Sequence, residues 1–151
     1  MNSTIQFAKA YAGKGWQSFP CVPHDKKPMV KWADMATTEE NMLVGWWDIT
    51  PEANIGIACG KRSGIVVLDV DAGHGGYESL GELQDRYGKL PDTPVSVTGS
   101  GGEHIFFKHP GIEIRNSAGK LGKGLDIRGD GGYVVVPPSL HPNGKHYEWA
   151  I

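Results

Sequence analysis

Apolar residues spaced three and four positions apart predict helices in the first part of the chain. Ser3 or Thr4 can cap a helix at the start, and Thr37 followed by Glu40 has the spacing of a capping box. The stretch 26–32 has no periodic pattern and is predicted to be a loop. Three helices are therefore expected: one ending near Gly13, a short one between Thr37 and Pro51, and an amphipathic one over 76–88.

Short apolar runs separated by glycine and proline predict strands, and they dominate after Pro91. The predicted strands are 16–22, 55–59, 65–70, 95–98, 104–107, 126–127, 133–136 and 147–151. Helices that come early and strands that come late favour an α+β fold with a largely antiparallel or mixed sheet. The length suits one domain, which we place over residues 1–151.

Composition narrows the class of protein further. The formal net charge is −2, which argues against coating nucleic acid by bulk charge but leaves room for a local basic groove. Two cysteines are too few for a disulfide framework, and Cys21 with His24 lacks the second pair of a closed zinc site. No apolar run could span a membrane and no signal peptide is visible, so we expect a cytoplasmic protein without zinc or membrane contact.

The first motif is an apolar strand that runs into two acids, Asp69 and Asp71. Residues two apart in a strand project to the same face, with Cα atoms about 6.5 Å apart. Two carboxylates so placed could share a hard divalent cation, or hold two cations roughly 3.5–4 Å apart. The alternative is a strand end at which both acids are merely hydrated.

The second motif is a turn of small residues, 98–102, that leads to His104 at the start of an apolar strand. Glycines allow a close approach of the backbone to a ligand, and their N–H groups can surround an anion. A histidine there could donate to a phosphate oxygen. The spacing fits neither a Walker loop nor a dinucleotide fingerprint, and a plain hairpin turn with a half-buried histidine is the alternative.

The third motif, 124–136, places Asp126 and Arg128 on one face of a strand. An acid beside a guanidinium suits a site where a metal ion meets a triphosphate, because the acid can hold the metal while the arginine neutralises phosphate. Asp130, which follows closely, could instead close a turn with two glycines.

The three motifs, in this order, resemble the N-terminal domain of bifunctional primase-polymerases. This family belongs to the archaeo-eukaryotic primase superfamily and is common in replication proteins of phages, plasmids and prophages. The resemblance rests on Leu68-Asp69-Val70-Asp71, on Gly99-Ser100-Gly101-Gly102-Glu103-His104 and on Leu125-Asp126-Ile127-Arg128-Gly129-Asp130-Gly131-Gly132-Tyr133. It extends to flanking pieces such as Lys31-Trp32 and Pro137-Pro138-Ser139, and so covers nearly the whole chain.

The resemblance implies a role for each matching residue. The implied metal ligands and catalytic acids, which would hold Mg²⁺ or Mn²⁺, are Asp69, Asp71 and Asp126. The implied nucleotide-binding residues are Ser100, Gly101, Gly102, His104, Arg128 and Lys31. The implied fold is an RRM-like catalytic sheet beside a smaller N-terminal α/β unit. The zinc-binding insertion of some relatives would need cysteines that this chain lacks.

The implied activity is DNA-templated nucleotidyl transfer, with a single-stranded template, a primer and nucleoside triphosphates as partners. The family typically continues into a helical segment and often a helicase, so we expect the natural protein to extend past Ile151. Two alternatives stay open. A metal-dependent nuclease could use the same three acids, and a non-catalytic RRM-like module could bind nucleic acid through Phe106 and Phe107.

Overall fold

A computed structural model describes residues 3–150 of the chain. The elements are α1 (Thr4–Gly13), β1 (Ser18–Cys21), α2 (Trp32–Met35), α3 (Glu40–Ile49), β2 (Asn54–Ala58), β3 (Ile65–Val70), α4 (Gly76–Tyr87), β4 (Val95–Val97), β5 (Glu103–Lys108), β6 (Ser117–Ala118), β7 (Leu125–Arg128), β8 (Tyr133–Val136) and β9 (Glu148–Trp149). A 3-10 turn, Ala72–His74, connects β3 to α4.

The strands form two sheets in which every strand pair is antiparallel. The smaller sheet has the order β1-β2-β8, and the larger one has the order β6-β7-β3-β5-β4-β9. The predicted α+β class is therefore confirmed, with antiparallel rather than mixed pairing between strands. The small sheet is not purely N-terminal, since β8 arrives from the far end of the chain and pairs with β2.

Two local predictions need correction. The capping box does not form: the N-cap of α3 is Glu39, two residues after Thr37, and its side chain accepts a hydrogen bond from the Met42 N–H at 2.8 Å. Thr37 instead accepts from the Glu39 N–H at 3.0 Å, so its hydroxyl stabilises the preceding turn. The predicted loop 26–32 ends in a helical turn, because α2 begins at Trp32.

Strand β3 lies at the centre of the fold, and its side chains alternate between two cores. Ile65 and Val67 belong to the core shared with the small sheet, α1 and α3. Leu68 and Val70 pack on the opposite face, in the core shared with α4. Alternation places Asp69 on the same face as Val67. Val67 is still covered by the shared core, but Asp69 is not, and a cleft between the two sheets begins at this residue.

Candidate active site

Three side chains from three neighbouring strands form a row across the large sheet. Asp69 in β3 is paired with His104 in β5 on one side and with Asp126 in β7 on the other. Residues directly opposite each other in antiparallel strands share a face and lie close together. The His104 Nε2 atom lies 3.6 Å from Asp69 Oδ2, a charge contact slightly longer than a hydrogen bond. Residues from all three sequence motifs therefore meet in one place.

Arg128 joins this row from the next position on the same face of β7. Its Nη2 atom lies 3.8 Å from Asp126 Oδ2 and 4.0 Å from Asp69 Oδ2. Two like charges directly opposite each other on a sheet repel, so Asp69 and Asp126 are stabilised by a cation between them. One guanidinium offsets only one of the two negative charges, which leaves the row able to accept another cation.

The Asp69 carboxylate is ionised in this setting. Burial raises the pKa of Asp69, but the His104 ring and the positive charges of Arg128 and Lys26 lower it more, so its pKa lies below the usual range. The lowered pKa keeps the carboxylate negatively charged, and a charged carboxylate can bind a cation.

The cleft above the row has a volume of about 270 Å³, and the small sheet and its loops supply its opposite wall. Its lining residues are Lys26, Trp32, Asp69, His104, Asn116, Arg128, Gly131, Gly132, Tyr133, Val134 and Val135. One wall is thus charged and the other is largely aromatic and aliphatic. A cleft of this kind suits a ligand with an anionic part and a flat apolar part.

The Nδ1 atom of His104 lies on the buried side of the ring and finds no hydrogen-bond partner among residues 3–150. Ser96 in β4 is directly opposite His104, and its buried hydroxyl is also without a partner there. The His104 ring packs near Tyr147, with ring centroids 6.3 Å apart. The ring is therefore held by packing, and Nε2 is the nitrogen that faces the cleft.

Asp71 lies just past β3 and bonds to its own turn. Its Oδ1 atom accepts from the Gly73 N–H at 3.0 Å, and its Oδ2 atom lies 2.8 Å from His74 Nδ1. The exposed carboxylate thus caps the 3-10 turn and is not an ion-pair partner of the row within the described residues. The alternation that predicts Asp69 and Asp71 side by side stops at the end of the strand.

The turn of small residues is the β4–β5 hairpin loop, and its glycines are required by the protein itself. A Cβ atom on Gly102 would overlap the Val70 carbonyl oxygen, and Gly101 has a φ of +92° that favours glycine. Ser100 is exposed, with its hydroxyl 3.1 Å from Thr98 Oγ1. Of this motif, His104 lines the cleft, whereas residues 98–102 do not.

Lys31 is placed away from the cleft lining. It is exposed at the N-cap position of α2. Lys26, which the sequence did not single out, lines the cleft instead and contributes to lowering the pKa of Asp69. Both lysines lie in the same basic loop, and a linear pattern could not tell which one turns inward.

A family model described as bifunctional DNA primase/polymerase, N-terminal, matches residues 8–151. The chain belongs to the Prim-Pol family. The resemblance stated from the three motifs is confirmed, and the family implies primase/polymerase nucleotidyl transfer in replication. No curated protein matches the chain. None of the helices described in this Prim-Pol domain is long and apolar enough to cross a membrane.

The carboxylates of the Prim-Pol site are chemically suited to Mg²⁺ or Mn²⁺. Among residues 3–150, no group of three or more His, Cys, Asp or Glu side chains is arranged to hold a metal ion. Mg²⁺, however, is commonly held by one or two carboxylates together with substrate phosphates and water. Asp69 and Asp126, with hard oxygen donors and excess negative charge, fit that pattern.

Besides Lys26, three side chains of the cleft were not among the predicted site residues. Trp32 and Tyr133 line the wall opposite the row, and Asn116 lies at its edge. Tyr133 comes seven residues after Asp126 within the third motif, so its place in that motif was a usable signal. Asn116 had none, because it lies in an irregular segment before β6.

Proposed function

We propose that this domain catalyses DNA-templated nucleotidyl transfer from nucleoside triphosphates. The observation that carries the proposal is the row Asp126–Asp69–His104, in which Asp69 and His104, together with Arg128, line a cleft. It combines paired carboxylates with groups that bind phosphate. Membership in the Prim-Pol family gives the reaction class.

Asp69 and Asp126 are the proposed metal-binding pair, with Asp71 as a third ligand. When bound, Mg²⁺ or Mn²⁺ would lower the pKa of the attacking hydroxyl and stabilise charge on the transferring phosphate. Asp71 could take part while its Oδ1 atom still accepts from Gly73, because each carboxylate oxygen has two acceptor positions.

Arg128, His104 and Lys26 are the proposed triphosphate-binding groups. A guanidinium can donate two parallel hydrogen bonds to phosphate oxygens, and His104 can donate from Nε2. Lys26 approaches from the opposite wall of the cleft and adds a flexible positive charge. Ser100, Gly101 and Gly102 would contribute by fixing the strand on which His104 lies.

In the proposed reaction, a primer 3′-oxygen bonds to the α-phosphorus and the bond to pyrophosphate breaks. The leaving group carries the developing negative charge towards Arg128. The proton of the attacking hydroxyl would pass to solvent once a bound metal ion has lowered its pKa. The protein's contribution is mainly positioning and electrostatic stabilisation.

We also propose that the large sheet is RRM-like. The succession β3–α4–β4–β5–β7 follows a β-α-β-β-α-β pattern in which residues 109–124 replace the second helix. The binding-module alternative is disfavoured, since Phe106 is buried against Trp16 with ring centroids 5.3 Å apart, and Phe107 packs in the core under α4. The Phe106 ring is therefore not free to stack a base, and Phe107 lies on the opposite face of the sheet from the charged row.

The test supplies primer, template, labelled deoxy- or ribonucleoside triphosphates and Mg²⁺ or Mn²⁺. Lengthening of the primer by the intact chain, lost in His104→Ala through a raised nucleotide KM, supports the proposal. Shortening of the primer without nucleotide would support a nuclease. A mobility shift with no change in primer length, under both metals, would support a binding module and overturn the proposal.

A further inference from the structure

Three aromatic rings form a contiguous cluster at the wall of the cleft opposite the catalytic row. Ring centroids lie 5.1 Å apart between Trp32 and Tyr133, 5.2 Å between Phe19 and Tyr133, and 5.6 Å between Phe19 and Trp32. Phe19 is fully buried, whereas Trp32 and Tyr133 are half-buried and line the cleft. The rings of Trp32 and Tyr133 are therefore accessible to a ligand in the cleft.

The cluster is rigidly supported from behind. Phe19 and Trp32 are stacked with an interplanar angle of 25°, so one side of the indole rests on a buried ring. A Cβ atom on Gly56 in β2 would overlap the Phe19 ring, so the glycine provides the space that Phe19 occupies. The Tyr133 hydroxyl donates to the Lys26 carbonyl oxygen at 2.9 Å, which fixes the tyrosine ring and the loop carrying Lys26.

The position of the rings relative to the charges indicates a ligand. Asp69, His104 and Arg128 lie on one wall of the cleft, and Trp32 and Tyr133 lie on the other. A nucleotide has an anionic end and a flat aromatic end. Stacking on aromatic side chains accepts any base, because every base has a π-face.

We infer that Trp32, backed by Phe19 and flanked by Tyr133, is the stacking surface for the base of the incoming nucleoside triphosphate. This inference rests on the proposed function and names the residues that bind the base. The sequence tolerance of stacking fits an enzyme in which the template, rather than the protein, selects the base. Removing the indole should weaken nucleotide binding about 5- to 150-fold, the range expected for one stacked base.

The experiment measures binding calorimetrically in Mg²⁺, without DNA, so that no chemistry occurs. Two ligands are compared: dATP, which carries a base, and inorganic tripolyphosphate, which does not. Trp32→Ala should weaken dATP binding within the stated range and leave tripolyphosphate binding unchanged, whereas Trp32→Phe should restore most of the dATP affinity. Arg128→Ala should weaken both ligands, and Trp46→Ala, an indole outside the cleft lining, should change neither.

Unchanged dATP binding in Trp32→Ala, or equal weakening of both ligands, would overturn the inference. A third arm measures a single-stranded oligonucleotide: if Trp32→Ala weakens only that ligand, the base belongs to the DNA strand and the assignment is wrong. The proposed function fails separately, if the wild-type chain binds dATP through Trp32 but never extends a primer. Unchanged tripolyphosphate binding in Trp32→Ala shows that this variant is folded, so a selective loss of dATP affinity is not a folding defect.

Discussion

Two aspartates four residues apart, Asp126 and Asp130, have opposite relations to the protein around them. Asp126 lies opposite another acid, Asp69, and contacts Arg128 at 3.8 Å. It accepts a hydrogen bond from the Gly119 N–H at 3.1 Å. Asp130 accepts hydrogen bonds from the Lys61 and Ile114 N–H groups, each at 2.8 Å, and lies 3.0 Å from His109 Nε2. The first carboxylate has one backbone donor and lies beside a like charge, whereas the second is hydrogen-bonded to three groups of the protein.

The electrostatic consequence differs in the same way. Hydrogen bonds from the Lys61 backbone, from His109 and from the Ile114 backbone lower the pKa of Asp130 to about 2. The carboxylate thereby ties two loops, the β2–β3 turn and the β5–β6 connection, to the start of the β7–β8 connection. An acid held by three hydrogen bonds from the protein is structural, whereas an acid left beside a like charge is available to a cationic ligand.

The largest expected effect is at Asp69. Asp69→Asn should lower nucleotide incorporation about 10³-fold or more, because it removes the central charge of the row. Stability should change by no more than about 1 kcal/mol, since the variant loses a contact with Arg128 but also a repulsion with Asp126. Primer extension and thermal unfolding measure the two quantities; near wild-type incorporation would remove Asp69 from the site.

Asp71→Asn tests whether Asp71 resembles Asp69 or Asp130. The amide oxygen can still cap the turn at Gly73, so stability should be nearly unchanged. If Asp71 also binds metal, incorporation should fall about 10²-fold and recover partly at higher Mn²⁺. Full activity at ordinary metal concentration would mean that Asp71 is a structural cap alone.

Asp130→Ala should lower stability and leave activity nearly unchanged, the reverse of what we expect for Asp69 and Asp71. Loss of a carboxylate that satisfies two backbone N–H groups should cost about 2–3 kcal/mol of unfolding free energy, with incorporation per folded molecule within a few-fold of wild type. Because the folded pKa of about 2 lies below the reference 3.8, the stabilisation is complete above about pH 4. It is lost as the pH falls towards 2.

Denaturant unfolding of the wild type and of Asp130→Ala at several pH values measures this pH dependence of stability. The difference in stability between wild type and Asp130→Ala should shrink steadily below about pH 4. A difference that is independent of pH over that range would show that the charge of Asp130 is not what stabilises these two loops.

Arg128→Lys should lose less activity than Asp69→Asn or Asp71→Asn, about 10-fold in kcat/KM for nucleotide. A lysine keeps the charge near Asp126 but cannot bind phosphate oxygens bidentately. Steady-state kinetics with varied nucleotide measures the loss, and Arg128→Ala provides the comparison. Equal kinetics in the lysine variant and wild type would place the guanidinium outside the phosphate site.

Much of the architecture is predictable because it depends on local patterns. Strand β3 and the two acids at its end are visible in the sequence as an apolar run that ends in charged residues. The amphipathic helix predicted over 76–88 corresponds to α4. The family follows from three motifs in order. These features can be predicted because burial of one face and the turn preference of glycine depend on only a few neighbouring residues.

The chain itself, then, determined the α+β class, the Prim-Pol family and the presence of Asp69, His104, Asp126 and Arg128 as candidates. The tertiary structure alone decided that β5 and β7 flank β3 in a register that aligns three of these residues. It also decided that Asp71 caps a turn, that Lys26 rather than Lys31 lines the cleft, and that Trp32 faces the charged wall. Strand register and the packing of two sheets depend on contacts between residues distant in sequence, so no local pattern encodes them.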